Sequence, residues 1–314
     1  MTKTLTVKKK KQYRVTNWRE YNASLKQRGS LTVWFSEEVQ AAWNATSSTS
    51  LKRGRQLYYS DLAITTCLIL RTVFKQSLRQ TQGLIHSIFD LMNFHLDVPD
   101  YTRLSRRGTV SKLNCRLEKL KEPGHLVVDS TGIKVFGESE WLENKHGKQY
   151  KRKIWRKLHI GIDQNGLIVS NIVTEHTTDD RACLPDHLQQ ADSAMVTELI
   201  ADSGYDGQKT YDQLDALKIK TLIPPAGKLS GKEKMQSSRQ NMLRYIHKKG
   251  IYAWKNKFKY GRRNLVENTF FRFKEIIGRK FRARNWLNQC AEATLACFVL
   301  NQFNKFGMPI ALKS

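Results

Sequence analysis

The sequence is short of acid. It sets 28 aspartates and glutamates against 54 lysines and arginines, a formal net charge of +26 over 314 residues. An excess of that size favours a polyanionic partner, because each cation that meets a phosphate releases a condensed counterion. Nucleic acid leads, ahead of a ribosomal or an anionic membrane surface. Long apolar runs are missing too. Nothing approaches the ~20 residues that a spanning helix needs. The charged start, Met1 to Lys11, is not followed by an apolar region of signal-peptide length. Cysteine is scarce and scattered: Cys67, Cys115, Cys183, Cys290 and Cys297 are odd in number and never spaced as C-x-x-C. That pattern excludes a disulfide framework and a structural zinc site and fits a reducing compartment. A phosphate-binding loop is absent as well. The nearest segment, Gly227 to Glu233, has its glycines too close together and no Ser or Thr after Lys232. No H-x-x-R pattern accompanies a late tyrosine, which disfavours tyrosine recombination.

What is present divides into three stretches. Residues 1–17 are a basic arm. Residues 18–116 read as mostly helical, with a helix through Trp18–Lys26 stopped by Gly29, then an aromatic-rich strand or turn at Leu31–Phe35. A polar linker follows, ending in Lys52, Arg53, Gly54 and Arg55. Ser60 can cap an apolar, buried helix carrying Leu62, Ile64, Cys67, Leu68, Val73 and Phe74. A second helix carries Leu84, Ile85, Ile88, Leu91 and Met92. Pro99 breaks the pattern, and Asp100 caps a short basic helix, Tyr101–Arg107. Residues 60–107 thus resemble a helix-turn-helix, which would aim Arg103, Arg106 and Arg107 at a major groove.

Residues 117–314 alternate strand and helix. Leu126, Val127 and Val128 form a buried-strand run that ends in Asp129. Lys157–Asp163 and Leu167–Thr174 read as strands joined by an Asn165–Gly166 turn. Leu184–Ala194 is a helix with Pro185 in its first turn. Leu199–Ala201 is a strand ending in Asp202, Gln208–Leu217 a helix, and Thr221–Ile223 a strand stopped by two prolines. Lys228–Lys259 shows no clear period, and helices at Asn264–Ile277 and Ala291–Phe303 close the chain. The expected class is α/β: a ribonuclease-H-like domain, with a mixed sheet flanked by helices, preceded by a mostly helical DNA-binding region.

Cutting a phosphodiester at neutral pH requires an activated water and charge relief at the leaving oxygen, which two Mg²⁺ ions held by a few carboxylates supply. Such carboxylates belong at strand ends or on a helix face. Asp129 and Asp202 each follow an apolar strand run. Asp206, four residues on, is the rival to Asp202. Asp163 reads as the start of the Asn–Gly turn, and Glu175, Asp179 and Asp180 as loop acids. The third acid is Glu267, within Tyr260, Arg263, Glu267 and Lys274, or Y-x2-R-x3-E-x6-K. On an α-helix, Arg263 and Lys274 fall within about 40° of Glu267, and Tyr260 joins them if the helix reaches back that far.

This spacing resembles the signature of insertion-sequence DDE transposases. Val128 to Gly132 and Ala201 to Asp206 resemble that family's first two acidic regions. Tyr21, Asn22, Arg28 to Thr32, Leu78 to Gly83 and Val98 to Arg107 are similar to the group usually called insertion-sequence family five. The likeness spans about Tyr13 to Phe306. It implies that Asp129, Asp202 and Glu267 bind two Mg²⁺, with Mn²⁺ as a substitute, and that Arg263, Lys274 and Tyr260 hold or position transposon-end DNA. The implied activity is cleavage at the termini and transfer of the 3′-hydroxyl ends to target DNA. The implied setting is the bacterial cytoplasm at the nucleoid, with at least a dimer on double-stranded DNA and no membrane partner. A DNA-binding regulator without catalysis, or a nuclease of the same fold, is the alternative.

The charge reading has a direct check. If phosphate contacts dominate, with roughly 6–10 of them, affinity for duplex DNA falls about 10³–10⁵-fold between 50 and 200 mM salt. A flat response in a binding titration would refute it.

Overall fold

The computed structural model describes residues 13–45, 58–109, 115–135, 155–226 and 238–313. Most of the basic arm, the Lys52–Arg55 linker end and the Gly227–Glu233 segment lie outside them.

A sheet organises the chain. Strand β2 (Gly124–Val135) pairs antiparallel with β3 (Trp155–Ile162), which pairs antiparallel with β4 (Ile168–Glu175). On its other side β2 pairs parallel with β5 (Val196–Ile200), and β5 with β6 (Lys220–Leu222). The order β4-β3-β2-β5-β6, a meander followed by two parallel strands, is the ribonuclease-H-like arrangement expected. The Asn165–Gly166 turn closes β3 onto β4 as its sequence requires. Gly166 sits at φ +76°, and Asp163 accepts hydrogen bonds from the backbone of Asn165 and Leu167.

Side-chain alternation gives the sheet two buried faces. Leu126, Val128 and Leu199 pack against α7 (Leu184–Ala191) and α8 (Gln208–Ala216) through Leu188, Tyr211 and Leu214. Val127, Ile133, Leu158 and Ile160 face α11 (Asn264–Arg272) and the long α12 (Trp286–Phe306). The N-terminal helices continue that second core: α1 (Trp18–Arg28) and α4 (Asp61–Val73) pack on α12, and α5 (Leu78–Met92) and α6 (Tyr101–Arg107) pack on α4. Ser60 and Asp100 cap α4 and α6 as expected. At the chain ends β1 (Tyr13–Val15) pairs with β8 (Ala311–Lys313). No helix among the described residues is long and apolar enough to cross a membrane.

Several elements differ from the sequence reading. Leu31–Trp34, read as either strand or turn, is a helical turn, α2, because Trp34 swings inward against Phe303 and Phe306 and donates to the Arg28 carbonyl. The stretch read as aperiodic contains α9 (Ser238–Lys249) and α10 (Ile251–Lys257). The break is Gly250, at φ +84°, which separates the inward-facing Leu243 and Ile246 of α9 from Ile251 and Trp254 of α10. Helix α12 begins at Trp286 rather than Ala291, capped by Asn285. Most consequentially, β2 does not end at Asp129. It runs on to Val135, since β3 stays paired with it to Lys134.

On the α7 face two imidazoles, His159 and His187, are buried, and burial lowers the pKa of both. His187 is fully buried, its Nδ1 2.6 Å from the Ser170 hydroxyl, and burial pushes its pKa down to about 3. Gly161 makes room for this pair, since a Cβ there would meet the Ser170 hydroxyl. The unfolded chain takes up the His187 proton near pH 6.5, whereas the folded chain resists to about 3. The contribution is therefore complete above pH 6.5 and is lost as pH falls, by up to about 1.4 kcal/mol per unit. Urea midpoints from pH 7 to 4 should fall more steeply for the wild type than for His187→Gln. Parallel curves would refute this assignment.

Candidate active site

The site forms where β2 loses a neighbour. Strand β5 pairs with β2 only through Val127, and the short β7 (Lys280–Phe281) takes the same edge only from Lys134. Between them the edge is open, and Asp129 is the second residue beyond Val127. Alternation places Val127, Asp129 and Thr131 on the face covered by α11. Asp202 follows the end of β5 and caps the next turn, accepting 2.8 Å from the Gly204 amide. Glu267 lies in the first turn of α11.

These three acids share one electrostatic neighbourhood. Burial pushes the Asp129 carboxyl up to about 6; the Ser130 amide and Arg263 hold it down, while the charges of Asp202 and Glu267 raise it further. Arg263 joins two of the acids, donating to Asp129 at 3.0 Å and to Glu267. Lys274 reaches the Thr131 hydroxyl at 2.7 Å. Its position follows from a change of helix type: α11 passes into a π-helical segment, Phe273–Ile277, which re-aims the side chains after Arg272.

Tyr260 departs from the helical stripe. The α-helix does not reach back to it; it opens a 3₁₀ turn, Tyr260–Arg263, and is 7% exposed. Its hydroxyl donates 2.9 Å to the Ala201 carbonyl, so it holds the residue before Asp202 instead of facing solvent. Arg262, in the same turn, pairs with Glu198 of β5 at 2.6 Å and fixes the turn to the sheet. Arg103 and Arg106 are exposed on α6, with Arg103 over the Tyr59 ring, whereas Arg107 is tied to the Tyr59 carbonyl and to Asp61.

The rival acids separate clearly. Asp206 is 6% exposed at its side chain and binds Arg239 through both oxygens at 2.8 Å, while also accepting from the Ala226 amide. It is a buried structural carboxylate. Asp163 holds its turn. Asp180, read as a loop acid, sits behind Asp129 on the opposite sheet face. There it accepts from the Ser130 hydroxyl and from Lys157, each at 2.9 Å, and the Ser130 amide in turn donates to Asp129. Nothing local in the sequence marks Asp180; only the pairing of β2 with β3 brings Ser130 and Lys157 to it.

Among the described residues no three His, Cys, Asp or Glu side chains stand close enough to cage a metal by themselves. Asp129 and Glu267, bridged by Arg263, offer carboxylate oxygens, the hard ligands that Mg²⁺ takes. Arg263 lies between two of them and supplies part of the positive charge that such a site demands. The residues present therefore fit a divalent cation.

Two family models, each described as "Transposase DDE domain", match residues 26–138 and 120–302. An uncharacterised protein of Aquifex aeolicus (strain VF5) is 23% identical over 284 residues, covering 83% of this chain and 81% of its own. Among solved structures, a piggyBac transposase synaptic complex with hairpin DNA aligns over 95% of this chain and 80% of its own, at 12% identity and TM-score 0.35. A simian T-cell lymphotropic virus intasome bound to a PP2A regulatory subunit aligns over 68% and 74%, at 12% identity and TM-score 0.24. Neither superposition is close enough to carry residues or ligands across.

The two acids of the 202–206 turn can be told apart by stability. Asp206→Ala leaves the Arg239 guanidinium buried beside a lost partner and should cost about 3 kcal/mol or more. Asp202→Ala removes only a turn cap and should cost about 1 kcal/mol. Equal urea midpoints for the two variants would overturn the assignment.

Proposed function

Because the chain belongs to the DDE transposase family, we propose that it is the transposase of an insertion sequence, cutting DNA at the element's ends and joining them to a target. The observation that carries this reading is that the charges of Asp202 and Glu267 both act on the half-buried Asp129, while Arg263 bridges Asp129 and Glu267. Three acids on separate elements, held within one another's field, make a costly arrangement with no structural benefit of its own. It suits a site whose charge is completed by metal ions and phosphate.

Asp129, Asp202 and Glu267 would hold two Mg²⁺. When bound, the ions activate the attacking oxygen and stabilise the leaving one in an in-line displacement. The protein's own groups set the stage. The Ser130 amide fixes one Asp129 oxygen and leaves the other toward the α11 face. Tyr260 clamps the backbone before Asp202, so this acid stands at a rigid strand end. Arg263 presents a planar fork that can exchange its carboxylate contacts for phosphate oxygens, a geometry that it serves bidentately. Lys274 lies beside the same strand through Thr131 and adds a second phosphate-binding cation. In the first step water cuts the transposon terminus and leaves a 3′-hydroxyl. In the second, this hydroxyl attacks a target phosphodiester and the bond to the adjoining 3′ oxygen breaks, with no covalent protein–DNA intermediate. Work on two ends requires at least two copies of the chain on the DNA.

The test is a plasmid carrying the DNA that flanks the protein's own gene, incubated with the purified protein and Mg²⁺ or EDTA. New ends and joints are then mapped. Metal-dependent cuts at defined termini, with joined products, are expected. They should drop by at least 10³-fold in Asp129→Ala, Asp202→Ala and Glu267→Ala while duplex binding persists. A fully active Glu267→Ala would sink the site assignment. Cleavage without joining would identify a nuclease, and binding unaffected by metal or mutation a regulator.

A further inference from the structure

A groove of about 780 Å³ opens between the N-terminal helices and the segment that follows β7. Its walls carry Arg71 and Arg79 from α4 and α5, Tyr101 from α6, and Lys280, Arg282 and Arg284 from the opposite side. Five cations thus share one concavity with a single carboxylate, Glu292. That acid is already engaged: it accepts from the Arg282 amide at 3.0 Å and the Ala283 amide at 2.9 Å, holding the loop that presents the arginines. The floor of the groove is Arg71, half-buried, its Nε without a hydrogen-bond partner. Burial disfavours its charge; the Glu292 carboxylate favours it, and the neighbouring Arg282 disfavours it to a smaller degree. At the rim, Arg79 lies 4.5 Å over the Tyr101 ring, which holds its guanidinium extended along the wall.

The groove also has a fixed relation to the candidate active site. Lys280 pairs with Lys134 of β2, the strand that carries Asp129. Five residues of strand separate Asp129 from Lys134, about 16 Å.

We propose that this groove binds the sugar–phosphate backbone of the DNA duplex whose end enters the Asp129–Asp202–Glu267 site, as a phosphate-binding subsite distinct from the catalytic residues. The inference rests on the transposase reading above and adds the place where the duplex is gripped. Arginine forks match phosphate oxygens bidentately, and the separation along β2 corresponds to about five base pairs at a rise of ~3.4 Å each.

The test uses the full chain and a labelled duplex from the flank of its own gene. Arg79→Ala/Arg284→Ala changes two exposed groove cations, and Lys248→Ala/Lys249→Ala, on α9, removes equal charge elsewhere. The groove pair should reduce the slope of log affinity against log salt by about two. It should also erase hydroxyl-radical protection roughly five base pairs from the cut, and Arg79→Lys/Arg284→Lys should restore the slope. Independently, in the wild type, arginine modification read by mass spectrometry should show DNA shielding Arg79, Arg282 and Arg284 but not the exposed Arg279. A groove variant indistinguishable from the α9 control, or arginines unshielded by DNA, overturns the inference while leaving wild-type cutting and joining as evidence for the function. A wild type that neither binds nor cuts overturns both.

Discussion

Repulsion among carboxylates is the constraint on which the site's arrangement depends. Asp129, Asp202 and Glu267 come from a central strand, a strand end and a helix, and the charges of the latter two add to the cost of ionising Asp129. The fold meets that cost with cations placed close by. Arg263 spans Asp129 and Glu267, and Lys274 stands next along β2. A 3₁₀ turn before α11 and a π-helical segment after it make this possible, because a regular helix from Tyr260 to Ile277 would put these side chains on one outer stripe.

The sheet supplies the rigidity. The site occupies the gap on β2 between the departure of β5 and the arrival of β7, so Asp129 is held by β3 on one edge and open on the other. Both faces at this point are occupied. Helix α11 covers the Asp129 face, and Asp180, Lys157 and Ser130 lock the reverse side. A side chain fixed from two faces and one edge has little freedom, which suits a group that would hold ions in place for in-line attack.

Helix α12 relates the two halves of the chain. Its apolar surface packs on the sheet and also on the aromatic cluster of Trp34, Phe35 and their neighbours, so the N-terminal helices belong to the same continuous core as the sheet. The basic groove arises at that junction. Its arginines are distant in sequence and adjacent only because α4, α5 and α6 close over the segment after β7. In the proposed reading, the packing that stabilises the chain also aligns the duplex grip with the acids that act on it.

The sequence determined what depends on local pattern. Ser60 and Asp100 declared their helix starts, Asn165 and Gly166 their turn, and the apolar runs before Asp129 and Asp202 their strands, because caps, turns and alternation are decided within a few residues. Charge and the Tyr260–Lys274 spacing pointed to a phosphate-handling chemistry for the same reason: composition and motif need no contact map. Tertiary structure alone decided the rest. Asp202 and Asp206 look alike in sequence, yet only Asp206 meets a buried arginine, Arg239. Tyr260 lies on the expected stripe by count but turns inward to Ala201, since the helix starts after it. Asp180 reads as a loop acid until strand pairing brings Ser130 and Lys157 to it. Each of these outcomes depends on residues far apart along the chain, and pairing of that kind is set by the packing of whole elements, which no local pattern encodes.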